Sequence, residues 1–166
     1  MNRREISFVK AHFESALQAG SEFHMDPVVI LAQAALESGW GTSRLAQENH
    51  NYFGLTAYGC SNSYWHGERR EVKHGNHTLY FRCYRTPLLS FLDFARLIRN
   101  NYRSAWQVSY YAEAYAKEIA YSRYITEVNG DNREQYRRNM VWISHRIAAI
   151  VQLITQPKNY EYEDED

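Results

Sequence analysis

The sequence predicts an α+β fold, mainly helical with one small antiparallel β-lobe, and three observations predict it. Apolar residues recur at helical spacing through most of the 166 residues. Between Tyr52 and Tyr84 that period gives way to alternation around Gly75-Asn76, a dipeptide suited to a tight hairpin turn. The length fits one domain with its own core, and neither a repeat nor a linker divides it. The domain is expected over residues 1–154, with a fraying acidic tail over 155–166.

The elements follow in order. Ile6, Val9, Phe13, Ala16 and Leu17 give a first amphipathic helix over 3–19, with Gly20 as its stop. A connector from Ser21 to Met25 leads into the stretch Pro27–Gly41. There Asp26 is a good N-cap, Pro27 fits the first helical position, and Gly39 sits where a left-handed cap is wanted. Val28, Ile30, Leu31, Ala32, Ala34, Ala35 and Leu36 make most of that helix apolar, so it should be buried. Thr42–Glu48 adds a short helix, and Asn49-His50-Asn51 a turn. Glu71–Lys73 and Thr78–Tyr84 form the arms of a two- or three-stranded lobe. Thr86-Pro87 starts an apolar helix that runs to Asn100-Asn101. Trp106 and Ser109–Tyr121 give another helix. Tyr124-Ile125-Thr126 reads as extended and Asn129-Gly130-Asp131 as a turn, with Asp131 or Asn132 capping a last helix through Tyr136, Met140, Ile143, Ile147 and Ile154.

Bulk properties exclude several classes. Lys plus Arg equals Asp plus Glu at 19 each, which argues against a nucleic-acid binder with its basic face. No run reaches the length of a membrane helix, and the charged start lacks the apolar centre of a signal peptide. Fourteen Tyr and four Trp stand out; such rings stack on sugars as readily as they fill cores. Cys60 and Cys83 form one bridge in an oxidising compartment or stay two free thiols. His66, His74 and His77 straddle the hairpin without an acid or Cys to complete a ligand set, so no metal and no cofactor is expected.

Glu37 carries the chemistry. It is the lone acid between Asp26 and Glu48, at the end of a buried helix. A carboxylate there is costly unless paired or protonated. Trp40, just past the cap, is placed to press a ring on it, which would raise its pKa and suit a general acid. The plain alternative is a hydrated last-turn Glu paired to Arg44.

The run Leu31-Ala32-Gln33-Ala34-Ala35-Leu36-Glu37-Ser38-Gly39-Trp40-Gly41, followed by Asn51-Tyr52-Phe53-Gly54, resembles the signature of peptidoglycan glucosaminidases of glycoside hydrolase family 73. The resemblance implies a lysozyme-like fold with a glycan groove between the lobes. It also implies hydrolysis of the β-1,4 bond between N-acetylglucosamine and N-acetylmuramic acid. By the motif, Glu37 is similar to the general acid. Trp65-His66-Gly67 with Glu71 resembles the β-lobe pattern that carries a second carboxylate. Arg123-Tyr124-Ile125-Thr126 resembles a Gly-Tyr-Ala-Thr segment, so Tyr124 inherits a role beside the acid, with Tyr121 a nearby competitor.

Two carboxyls about 5–5.5 Å apart would give retention and about 6.5–9.5 Å inversion; the substrate's own acetamido group is the alternative to Glu71. Glu71 also reads as a solvated strand residue paired to Arg69 or Arg70. Candidate substrate contacts are Trp40, Asn51, Tyr52, Phe53, Tyr58, Trp65 and Tyr121. The rival functions are a lytic transglycosylase or muramidase on the same fold, and a non-catalytic wall-binding module. The expected partner is peptidoglycan glycan at the bacterial cell wall, reached through an export or secretion apparatus or a trimmed signal, with the oligomeric state open.

Overall fold

The computed structural model describes residues 1–126 and 130–158. Helix α1 (Arg3–Phe23) opens with a capping box in which Asn2 and Glu5 each bond the other's backbone amide. Gly20 does not stop it. The helix runs a turn further and ends at left-handed His24, φ 57°. Gly20 serves a close approach instead, since a Cβ there would lie 2.4 Å from the Met25 carbonyl oxygen. The chain thereby folds tightly into α2 (Pro27–Ser38), capped by Asp26 and ended by left-handed Gly39, as its sequence predicts.

Helix α2 is buried along most of its length because α1 and α7 pack against it. A short α3 (Arg44–Asn49) follows, capped by Ser43. The β-lobe is one antiparallel pair, β1 (Arg69–His74) and β2 (His77–Arg82), turning at Gly75-Asn76. Among the described residues a single bridge, Thr56 to Phe81, is all that a third strand amounts to.

Helix α4 (Pro87–Asn101) is capped by Thr86 and lies on α1. The helix expected around Trp106 and Ser109–Tyr121 is two: α5 (Arg103–Gln107) and α6 (Ala112–Ala120). The Trp106 indole donates to the Phe23 carbonyl at 2.7 Å, which fixes α5 against the end of α1. Residues 124–126 are not extended. The Tyr124 amide bonds Ser122 Oγ and the Ile125 amide reaches the Ser122 carbonyl, closing a turn. Helix α7 (Gly130–Thr155) already includes Gly130 and Asp131, so the expected turn there is helical from Gly130 on. Asn129, and the tail from residue 159, lie outside the described residues. Among the described residues no helix is long and apolar enough to cross a membrane. Cys60 and Cys83 are free thiols, Cys60 exposed.

Two polar clamps attach the β-lobe to the helices. Buried Asn51 donates to the carbonyls of Leu55 and Arg82 and accepts from the amides of Phe53 and Leu55. Fully buried Asp93, on α4, is the second. It accepts from Arg82 at 2.7 Å, from the Tyr84 hydroxyl at 2.5 Å, and from Asn62 and Arg96 at 2.9 Å. Burial alone would raise the Asp93 carboxyl, but the Tyr84 hydrogen bond and the Arg82 and Arg96 charges outweigh it and hold it below the usual range. Arg82 also donates to the Thr56 and Tyr58 carbonyls and lies 4.2 Å over the Trp65 ring. Below the clamps the Phe53 ring stacks on Phe94 at 3.9 Å and meets Phe91 edge-on.

Two outcomes follow for stability. Asp93→Ala leaves the Arg82 guanidinium buried without its anion and should lower the unfolding free energy by about 3–5 kcal/mol, read from the urea midpoint. His12 is packed among Phe8, Tyr52 and Phe91, and burial pushes its imidazole down to about 4. Its folded value lies below the unfolded 6.5, so stability is full above pH 6.5 and declines as pH falls toward 4. His12→Phe should therefore flatten the pH dependence of thermal unfolding across that window.

Candidate active site

Glu37 sits on the last turn of α2, one residue before the left-handed cap, and its side chain points into a cleft of about 520 Å³. The cleft is lined by Glu37 and Tyr136, by Phe53 to Thr56 after α3, by Leu97 and Tyr102 at the end of α4, and by residues 123–126. The Tyr136 hydroxyl of α7 donates to Glu37 Oε1 at 2.8 Å. Burial raises the Glu37 carboxyl and the Tyr136 bond opposes it in part; the net shift is upward. Arg44 pairs with Glu48 instead. Among the described residues, Glu37 is the one carboxylate in the lining.

Three tyrosines surround the acid, Tyr115 buried and Tyr124 and Tyr136 half-buried. Tyr115, Tyr124 and Tyr136 are pushed well above the ordinary phenol range, first by burial and then by the nearness of Glu37. They stay protonated, and Tyr115 and Tyr136 act as donors. Tyr115 donates to Gln33 Oε1 at 2.5 Å, one turn before Glu37 on α2. Tyr124 is held edge-on by Phe94 and Tyr102. Its buried hydroxyl and Gln33 Nε2 neighbour each other without full hydrogen-bond geometry.

The predicted residues divide accordingly. Glu37, Phe53 and Tyr124 line one cleft. Trp40 does not cap the acid; its ring packs edge-on against Phe8 at 5.7 Å, because the left-handed backbone at Gly39 and Trp40 turns the chain away. Asn51 is a buried clamp, and Tyr52 packs on His12 and Phe91. Trp65 is buried under Arg82 and donates its indole N–H to the Glu68 carbonyl. Tyr58 is exposed at a neighbouring cavity. Tyr121 is exposed and donates to Glu134, outside the Glu37 cleft. Glu71 is exposed on β1 opposite Tyr80 and does not line the cleft. His66, His74 and His77 are exposed.

Sequence reasoning missed Tyr136, which lies 99 positions from Glu37. It sits within the apolar period of α7, and its one signal is a polar tip on an inward face. Gln33 and Tyr115 were missed as well.

A helical body with a small β-lobe and a half-buried carboxyl at a cleft is the kind of frame on which glycoside hydrolases are built. Over residues 13–159 the chain matches the glucosaminidase family, described as mannosyl-glycoprotein endo-beta-N-acetylglucosaminidase, and it belongs to that family. The Escherichia coli K12 peptidoglycan hydrolase FlgJ is 36% identical over 101 residues, 53% of this chain and 29% of that protein. FlgJ of Salmonella typhimurium is 29% identical over 153 residues, 84% of this chain and 44% of that protein. The chain thus spans less than half the length of the curated relatives it matches. The catalytic domain of the autolysin Auto from Listeria monocytogenes superposes with a TM-score of 0.69 at 21% identity, covering 90% of this chain and 89% of that one. The glycoside hydrolase domain of Salmonella typhimurium FlgJ gives 0.66 at 24%, covering 93% of each. At such identities the likeness carries the fold.

Removing the Tyr136 donor should raise the Glu37 pKa further, since that hydrogen bond favours the carboxylate. Were Glu37 the general acid, it would work while protonated, and activity would fall as pH rises through its pKa. Tyr136→Phe should therefore move the alkaline limb of the kcat profile to higher pH, as measured by fragment release across a pH series.

Proposed function

We propose that this chain is a peptidoglycan hydrolase that cleaves the β-1,4 bond between N-acetylglucosamine and N-acetylmuramic acid, with Glu37 as general acid. The observation that carries it is the Glu37 carboxyl, raised by burial and bonded to one neutral donor, at the wall of an open cleft. Family membership and the FlgJ relatives support the substrate. Its place of action would be the bacterial cell wall.

The geometry suggests how the proton is held. Tyr136 donates to Oε1 and stays a phenol, so Oε1 is already an acceptor. The acidic proton then sits on Oε2 and passes to the glycosidic oxygen as the bond to the anomeric carbon breaks. The positive charge that develops at that carbon needs a partner. Glu71 stands outside the cleft and would reach it only if the hairpin closed over the sugar. The substrate's own acetamido oxygen fits the present lining better: it attacks the anomeric carbon, and water later opens the resulting ring. Tyr124 shapes the wall against which that group lies.

Glu37→Gln should lower kcat on purified peptidoglycan by at least about a thousandfold while thermal unfolding is unchanged. Glu71→Gln should lower it less than about tenfold; a loss as large as that of Glu37→Gln would assign Glu71 the second catalytic role. Mass spectrometry of the fragments should show reducing N-acetylglucosamine ends. Anhydro-muramic ends would make the chain a transglycosylase, and binding to sacculi without fragments a wall-binding module.

A further inference from the structure

A second cavity of about 550 Å³ adjoins the Glu37 cleft, and the two share Leu55, Thr56, Leu97 and Tyr102 as a common shelf. The charged side chains along both are Glu37, Arg82, Arg96 and Arg123. The chain as a whole is neutral, with 19 basic and 19 acidic residues. Three arginines beside one carboxyl therefore make the groove locally cationic, even with Asp93 beneath it.

The three arginines are differently committed. Arg82 is buried, and its donors are taken by Asp93, the Thr56 carbonyl and the Tyr58 carbonyl. It is an anchor. Arg96 gives Nε and Nη2 to Asp93 Oδ1, both at 2.9 Å, and its side chain is 23% exposed. Among the described residues its Nη1 makes no hydrogen bond, and Arg96 lines the second cavity. Arg123 is exposed on the Glu37 side of the shelf, near enough to Tyr102 to favour its phenolate. One uncommitted guanidinium edge thus flanks each end of the shelf. Guanidinium groups pair with carboxylates through parallel N–H donors, and a sugar ring alone offers them no anion.

We infer that Arg96 and Arg123 form a carboxylate-recognition site along the groove, selecting glycan whose sugars carry anionic substituents over neutral glycan. This rests on the peptidoglycan reading above. The carboxylate has two sources: the peptide stem of a substituted muramoyl residue, or the free lactyl group left when the stem is removed.

Three substrates test the site: native peptidoglycan, the same material with its carboxyls amidated by carbodiimide and ammonia, and amidase-stripped glycan with lactyl carboxylates only. Where the stem is the ligand, amidation should lower wild-type kcat/KM about tenfold or more, the size of a charge-assisted contact; where the lactyl group is the ligand, stripped glycan should be cut faster than native by a similar factor. Arg123→Gln should lower kcat/KM on native peptidoglycan by a similar factor and lose little more on amidation, while Arg123→Lys recovers part of the loss. Arg96→Gln should behave likewise, scored only if its unfolding midpoint shows a folded protein. Selectivity for native over stripped glycan assigns the stem as the ligand; the reverse assigns the lactyl group. Either result supports the site. Equal wild-type rates on all three substrates, or an equal fall for Arg123→Gln on all three, overturn it. Absence of fragments from all three substrates overturns the hydrolase reading itself and this inference with it.

Discussion

A carboxyl group taken out of water must either find donors for its charge or keep its proton, and this fold imposes that choice twice along one groove. Asp93 receives two arginines, a tyrosine and an asparagine, and remains an anion well inside the protein. Glu37 receives a single phenol from α7, and its pKa rises. The first arrangement makes a rivet between α4, β2 and the 56–62 segment. The second leaves a carboxyl that holds its proton more tightly than usual, as the proposed general acid requires. The residue type differs by one methylene, so what surrounds each carboxyl decides its role.

The rivet matters to the donor through the chain between them. Asn51 fixes the turn of its own segment and reaches the carbonyl of Arg82, whose guanidinium meets Asp93. That pins Phe53 on Phe94, and Gly54 to Thr56 along the groove floor. Phe94 in turn holds Tyr124 edge-on beside the acid. The Asn-Tyr-Phe-Gly motif thus contributes mainly through placement. Its asparagine and tyrosine are interior groups, and only the phenylalanine and glycine reach the cleft.

Local chemistry explains what the sequence made legible. A proline at the first helical position, a side chain that bonds the second amide and a glycine at the left-handed cap are all decided within a few residues, so α2 and the position of Glu37 could be read directly. The Gly75-Asn76 turn was legible for the same reason. Pairings between distant elements were not. Tyr136 and Glu37 are 99 positions apart, and Tyr115 and Gln33 are 82 apart. Nothing in the helical period of α7 separates a tyrosine that fills space from one that aims a hydroxyl. Aromatic residues near a motif misled in the opposite direction. Trp40, Tyr52 and Trp65 look like sugar platforms but are absorbed by Phe8, His12 and Arg82. Asp93 offered a hint, a lone acid in the middle of an apolar helix, and its partners lie on elements that only the fold brings together.

The choice of tyrosine around the acid has its own logic. A lysine or arginine at the position of Tyr136 would satisfy Glu37 equally well as a hydrogen-bond donor, but its charge would favour the carboxylate and cancel the upward shift that burial gives. A fully apolar wall would keep the proton yet leave the carboxylate formed after transfer without any donor. A phenol stands between these limits. It supplies one neutral donor, weak enough to leave the pKa raised and present when the charge appears. Arg123, the cation that lines the same cleft, lies toward solvent, where water screens it from the acid. The Glu37 cleft can then carry a cation and still raise the pKa of its acid, because Arg123 sits at the rim and the hydrogen bond that reaches the carboxyl comes from a neutral phenol.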